Sequence, residues 1–547
     1  MAEHPGATAV LDPVHATDEQ PSAAVVDEPG ARGRGRLRNA GWALSGAAVL
    51  GVGYVPAARV PIIADDFQAL QETYAITDGS LWEALTFGFS AGQQAGHSNP
   101  VGQTLGALYH FLAYRLSASA GVSPQYYDVL ATLAMIALGV AGAASVLVWG
   151  LRRSPALRVQ FWPTFALLSA VTAATLQLHV PWSDDPVVSY GPAGWGSTAI
   201  GMWTLAWALR AIAPGNRDKR SIVICSALGV MAVWYYEMLV GAIAAVAVAV
   251  VLTALTAVDR AQIRRRCLVL MGTAVALPAV MFVGGRVLLA VPSDESGYGG
   301  TTLALGRAGA SAWVDGMLGA LPGGGWAYLS ESAGAPALDG GAVAVAAALV
   351  LLVSVIGYAW VRRSGTDSWA HVAPEAERLP AWRSPWIVPA AALVTFWAVA
   401  TATHAMTVKY SEKMARPGQV YLSYAVGVIA VAALIVLVLV ALRRGRGARL
   451  LAVVLPLAGA FVLGQVALNM TLAEITQGNY PVNARMVSQS ADGDVPEDVR
   501  CGTLFDWMTK QGWPEYYLVA VRFDGVQENY ERLYGEPFCA ELDERTD

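Results

Sequence analysis

Charge is what this chain has least of: Asp, Glu, Lys and Arg supply only 14 % of its 547 residues, and lysine occurs four times. Soluble globular domains carry about a quarter charged residues, so an ordinary water-soluble fold is excluded. Cysteine is scarce too, with four in the chain and none in a CxxC pair or at zinc-ligand spacing. No structural zinc module or dithiol redox centre is therefore written into it. A GxGxxG turn and a Walker loop are both missing, which removes the common dinucleotide- and nucleotide-binding classes. No strong internal repeat appears, and that argues against transporters built from paired halves.

What fills the chain instead is apolar: hydrophobic residues make up 55 %. They fall into runs of about 20, the length that crosses about 30 Å of hydrocarbon. The runs lie near 40–58, 125–150, 159–179, 194–213, 221–238, 239–258, 267–290, 337–360, 386–404, 420–442 and 450–468. Basic clusters punctuate them at Arg32–Arg38, Arg152–Arg158, Arg217–Arg220, Arg260–Arg266, Arg362–Arg363 and Arg443–Arg449. With each cluster held on the cytoplasmic side, the runs pair as out-and-back hairpins. Eleven crossings then put the N-terminus inside and the C-terminus outside the cytoplasmic (inner) membrane. The net charge of −5 adds little, because in a membrane protein the distribution of charge outweighs its sum.

The expected fold is an α-helical polytopic membrane protein with about 11 transmembrane helices. Residues 1–38 read as a disordered cytoplasmic tail, 39–468 as the transmembrane domain, and 469–547 as a small α/β extracytoplasmic domain. In that last part Asp498–Gln511 reads as a helix and Tyr516–Phe523 as a strand. An Asp524-Gly525 turn and a helix to Tyr534 follow. Cys501 and Cys539 lie there, and outside the membrane they should be oxidised. Closing their loop would contribute about 4 kcal/mol by chain entropy. Cys225 and Cys267 fall within apolar runs and read as small packing residues.

The polar residues gather in the extracytoplasmic connections. The first runs from Arg59 to about Pro124 and opens with Asp65-Asp66-Phe67 directly after an apolar run. Its Thr104–Ala118 stretch, with His110 and Arg115, reads as an interfacial amphipathic helix. The second, Val180 to Ala193, holds Trp182, Asp184, Asp185 and Tyr190. The third is a minimal turn near Trp234-Tyr235-Tyr236-Glu237. The fourth, Val291 to about Pro336, is Gly-rich and expected to be a mobile cover. The fifth, His404 to about Gln419, carries two of the four lysines. On a helix Lys409, Lys413 and Arg416 would share one face, with Tyr410 beside it.

Asp65-Asp66-Phe67 is followed by an amphipathic stretch, by Gly79-Ser80-Leu81-Trp82, and by His97-Ser98-Asn99-Pro100 ahead of the interfacial helix. Over about 60 residues this resembles the first extracytoplasmic loop of the GT-C membrane glycosyltransferases. That superfamily includes protein O-mannosyltransferases, aminoarabinose transferases and actinobacterial arabinofuranosyltransferases. The second acid is Asp where Glu is common, and His97-Ser98-Asn99-Pro100 stands where Lys-Pro-Pro is usual. The resemblance implies an inverting transfer of sugar from a polyprenyl-phosphate carrier to a cell-envelope glycan, lipid or protein. It implies Asp65 or Asp66 as base, with the family position favouring Asp65, and contact with membrane lipids and no nucleic acid.

Chemistry on such a substrate needs a carboxylate to take the acceptor's proton and cationic or hydrogen-bonding groups at the leaving phosphate. Candidates for the phosphate are His404, Lys409, Tyr410, Lys413, Arg416 and Arg286. Candidates for sugar and acceptor are His97, Asn99, Asp184, Asp185 and Glu237. A divalent cation is compatible with the paired acids but not demanded by them.

Plainer readings stand beside these. Asp65 and Gln68 have capping-box spacing, so one acid serves equally as a helix cap. Asp184 and Asp185 are either loop acids or ligands of acceptor or metal. Glu237 fits an aromatic belt, Arg286 fits interface snorkelling, and His97 and His179 fit structural roles. A secondary transporter or lipid flippase, and a polymerase or ligase using lipid-linked oligosaccharides, remain the alternative functions.

Overall fold

The computed structural model describes residues 29–90, 99–153, 157–179, 185–256, 260–288, 302–326, 339–366, 384, 386–413, 422–442, 447–510 and 516–540. Two compact units divide the chain, Met1–Gly41 and Trp42–Asp547. The first contributes the start of helix α1 (Pro29–Ala58). Of the disordered tail expected over 1–38, residues 29–38 are instead the start of α1, and the rest lies outside the described residues.

Within the second unit, α1 ends and is followed by α2 (Ala64–Ile76), α3 (Leu81–Ser90), α4 (Pro100–Ala120), α5 (Pro124–Gly150) and α6 (Phe161–Thr175). A π-helical turn, Pro192–Gly196, leads into α7 (Ser197–Ala211). Then come α8 (Arg220–Tyr235), α9 (Val240–Thr256), α10 (Arg260–Leu270), α11 (Leu277–Leu288), α12 (Arg307–Gly319) and α13 (Gly340–Thr366). The chain continues through α14 (Ile387–Ala405), the short α15 (Val408–Lys413), α16 (Ser423–Leu442) and α17 (Gly447–Asn479). It ends in α18 (Asn483–Gln489), α19 (Glu497–Lys510) and α20 (Tyr516–Tyr534).

Eight helical stretches among the described residues are long and apolar enough to cross a membrane. The molecule is therefore a helical polytopic membrane protein. Hydrocarbon offers no hydrogen bonds, so each backbone N–H and C=O must be satisfied inside its own segment, and helices are the result. The runs near 159–179, 194–213 and 221–238 form helices of only 15, 15 and 16 residues. The first stops at Thr175, and 176–179 continue as buried non-helical chain.

Small residues let the helices approach closely, since lipid supplies no hydrophobic drive between them. A Cβ on Gly142 of α5 would lie 2.7 Å from the Met202 Cβ of α7. One on Gly241 of α9 would lie 2.8 Å from the Ala400 nitrogen of α14.

One expectation is corrected here. The C-terminal region holds no strand among the described residues, and Tyr516–Tyr534 is one continuous helix. A short apolar run does not distinguish strand from helix by periodicity. With no partner strand available, the backbone bonds are met within a helix. Gly525 does not make a turn; it lets the helix lie against α2, where a Cβ would stand 2.9 Å from Glu72 Cγ.

Of the Gly-rich fourth connection, residues 302–326 are described. Helix α12 packs on α14, with Trp313 Nε1 donating to the Ala398 carbonyl at 2.9 Å.

Candidate active site

Helix α2 begins where the chain leaves α1, and its entry is pinned from two sides. Gln125, on the first turn of α5, accepts from the Ile62 N–H at 2.9 Å and donates to the Val60 carbonyl at 2.7 Å. Asn483 of α18 donates to the Ile62 carbonyl at 3.1 Å. Ile63 is the N-cap, in extended conformation and with no side-chain cap. Asp65 and Asp66 therefore both sit inside the first turn, which corrects the capping-box reading of Asp65 and Gln68. Gln68 turns instead to Glu72, donating to it at 3.2 Å. Carboxylates in a first turn are favoured by the helix dipole. Neighbours on a helix point about 100° apart, so Asp65 is exposed while Asp66 is buried.

One residue grips both acids. Tyr190, in the α6–α7 connection, donates its backbone N–H to Asp66 and its phenol O–H to Asp65. Its φ is +56°, the left-handed region, at a cost of about 1–2 kcal/mol for a residue with a Cβ. Asp185 holds that loop in shape. It is buried, its carboxylate accepts the N–H groups of His179 at 2.5 Å and Val187 at 2.8 Å, and its carbonyl accepts Ser189 N–H at 2.7 Å. These contacts favour the loop-acid reading of Asp185.

Helix α4 supplies the facing wall. His110 Nε2 lies 4.0 Å from Asp66 Oδ1. Burial pushes the imidazole down to about 4, so it is neutral near pH 7 and adds no positive charge beside Asp66. Next to it, Tyr109 donates to Asp128 Oδ1 at 2.5 Å, and burial followed by that carboxylate raises the phenol well above its ordinary value. Gln103 donates to Asn99 Oδ1 at 3.1 Å. Asp66, Asn99, Gln103, His110, Tyr190, Tyr235 and Tyr236 line a cavity of about 200 Å³. Its back depends on glycine at 102: a Cβ there would fall 1.9 Å from the Tyr235 carbonyl oxygen.

A second polar group adjoins the cavity through Tyr236. The Tyr236 and His404 rings lie 6.4 Å apart, and His404 stacks on Tyr410 at 4.7 Å. Lys409 Nζ sits 5.2 Å from the Tyr410 ring centroid. Two backbone bonds tie this segment to the preceding connection, Ala304 N–H to Met406 and Val408 N–H to Thr302, each at 2.8 Å. Arg286 pairs with Glu237 at 3.4 Å.

Of the residues singled out in the sequence, Asp65, Asp66 and Asn99 come together, and Lys409, Tyr410 and His404 form the adjoining group. Glu237 and Arg286 pair with each other. His97, Asp184 and Arg416, and the side chain of Lys413, lie outside the described residues. Among the described residues, no cluster of three His, Cys, Asp or Glu side chains has metal-binding geometry.

Tyr190, His110, Gln103 and Asp128 were not among the candidates. The one sequence signal for Asp128 is a carboxylate within a span, at the start of α5, which by default marks function. Cys501 and Cys539 form the expected disulfide, while Cys225 and Cys267 are buried and not disulfide-bonded.

No protein-family model, no curated protein and no solved structure matches this chain.

Proposed function

We propose that this chain is an inverting glycosyltransferase. It moves a sugar from a polyprenyl-phosphate carrier to a cell-envelope acceptor at the outer face of the cytoplasmic membrane. The observation that carries the reading is the acid pair on the first turn of α2, with Asp66 in the wall of a cavity lined by amides and phenols. Such a lining suits a polyhydroxylated ligand. In the transfer, the acceptor oxygen bonds to the anomeric carbon, the bond from that carbon to the phosphate oxygen breaks, and polyprenyl phosphate departs. Asp66, facing the cavity, takes the hydroxyl proton, and its neutral neighbour His110 does not compete for the charge. Asp65, gripped by the Tyr190 phenol, holds the loop closed over Asp66. Lys409, beside Tyr410 and His404, meets the leaving phosphate, and Arg286, paired with Glu237, is the second cationic candidate. The recurring arginine clusters support a cytoplasmic N-terminus with the cavity on the outer side.

The flippase reading has one observation in its favour. The non-helical chain at 176–179 is buried among helices, as in transporters with broken spans. Gln177 N–H donates to Tyr424 Oη at 2.8 Å, and Leu178 N–H to Asn469 Oδ1 at 3.0 Å.

A deletion strain separates the two. Loss of a transferase leaves lipid-linked sugar on the outer leaflet, open to impermeant periodate; loss of a flippase leaves it on the inner leaflet, protected. Wild-type protein should clear the accumulated carrier, whereas at least one of Asp65→Asn and Asp66→Asn should turn over about 10²–10⁴-fold more slowly. Near-normal clearance by both folded variants refutes the transferase reading.

A further inference from the structure

Helix α2 is held on its other side by the C-terminal helices, at three levels. At its first turn Phe67, the residue after the acid pair, stacks on Trp507 of α19 with ring centroids 5.7 Å apart. At its middle, Asn529 of α20 donates its side-chain amide to the Gln71 carbonyl, and Gly525 lies against the same turn. Just past its end, Arg532 meets Asp78 at 2.5 Å. Phe67, Leu70, Trp507, Val526 and Tyr530 are buried in one shared core.

The disulfide closes the two jaws onto each other. Cys501 lies on α19 with Trp507, and Cys539 follows α20. Gln527 of α20 binds the Cys539 N–H and carbonyl, each at 2.8 Å. Arg500, beside Cys501, donates to the Phe538 carbonyl at 2.9 Å and to Tyr530 Oη at 2.7 Å. Helix α2, by contrast, has little of its own to hold it. It has 13 residues, marginal for an isolated helix, and starts without a side-chain cap.

We propose that the disulfide-closed C-terminal module is a clamp that positions α2, with Trp507 and Asn529 as positioning residues for Asp65 and Asp66. A site of this kind works only while its groups stay within about 0.5 Å of their productive places. The clamp sets the azimuth and depth of α2, and so decides whether both acids reach Tyr190 together.

Hydrogen–deuterium exchange on the full-length protein in lipid nanodiscs tests this without reading turnover, so it stands or falls separately from the transferase assignment. Reduction of the folded protein, or Cys501→Ser with Cys539→Ser, should speed amide exchange in Ala64–Ile76 by about tenfold or more. Ser423–Leu442 should not change. Asn529→Ala and Trp507→Ala should act likewise with the disulfide intact, and Trp507→Phe should restore the slow rate. If tail peptides exchange faster while α2 does not, the clamp is refuted. A rise shared equally by Ser423–Leu442 also refutes it, because the module would then be a general staple. Should the cysteine variants not accumulate, reduction of the wild-type protein gives the same readings.

Discussion

Acidification from pH 7 to pH 5 is expected to destabilise the folded protein through His110, and the size of the loss follows from its burial. The imidazole titrates near 4 in the fold, because burial penalises its charged form. In the unfolded chain it titrates at about 6.5. Between those values the unfolded state binds a proton that the folded state refuses, so falling pH favours unfolding. The stabilising contribution is complete above about 6.5, is lost as pH falls toward about 4, and changes no further below that. The full loss is about 3 kcal/mol, of which about 2 kcal/mol falls between pH 7 and pH 5. Solvent screening is slight, since the side chain is 12 % exposed. His110→Gln keeps a polar side chain of similar reach that does not titrate. Denaturant unfolding in micelles, followed by circular dichroism at pH 7, 6 and 5, should show the wild type losing about 2 kcal/mol more than the variant. Parallel curves for the two proteins would show that His110 is not held neutral by burial and would undo the electrostatic account of Asp66.

Gln71 is fully buried at the clamp, and neither side-chain polar atom has a partner. Gln71→Leu removes that desolvation cost at similar volume and is expected to raise stability by about 1–3 kcal/mol in the same unfolding assay; a loss of stability would mean that the amide is satisfied. Gly102→Ala puts a methyl 1.9 Å from a backbone oxygen that has no rotamer to escape by, whereas the Cβ position of Gly106 on the same helix has nothing within 4 Å. Gly102→Ala should therefore cost about 1–3 kcal/mol and Gly106→Ala almost nothing, by thermal unfolding of the two variants side by side.

Much of this molecule was legible before any coordinates. Runs of about 20 apolar residues at 14 % charge leave helical spans as the one arrangement that satisfies the backbone in lipid. The pairing of Cys501 with Cys539 followed from their shared C-terminal segment, expected outside the membrane, and the prominence of Asp65 and Asp66 from two carboxylates set against the end of an apolar run. These are local properties, carried by composition and by neighbours along the chain.

The way the site is held was not local. Tyr190 reaches Asp66 across a separation of 124 residues, and Asn529 reaches Gln71 across 458. No periodicity encodes such contacts, because they are set by how helices already formed come to pack. The same reason accounts for the misread strand at Tyr516–Phe523. Its apolar run suited either period, and with no partner strand among the described residues its backbone bonds are met within a helix. It also accounts for His110, which looks ordinary on an amphipathic segment and becomes a neutral neighbour of Asp66 only once other helices bury it. Residue chemistry determined that this is a helical membrane protein with an acidic pair at the end of a span. Tertiary packing decided which acid faces the cavity, because that depends on the rotation of one short helix that does not anchor itself.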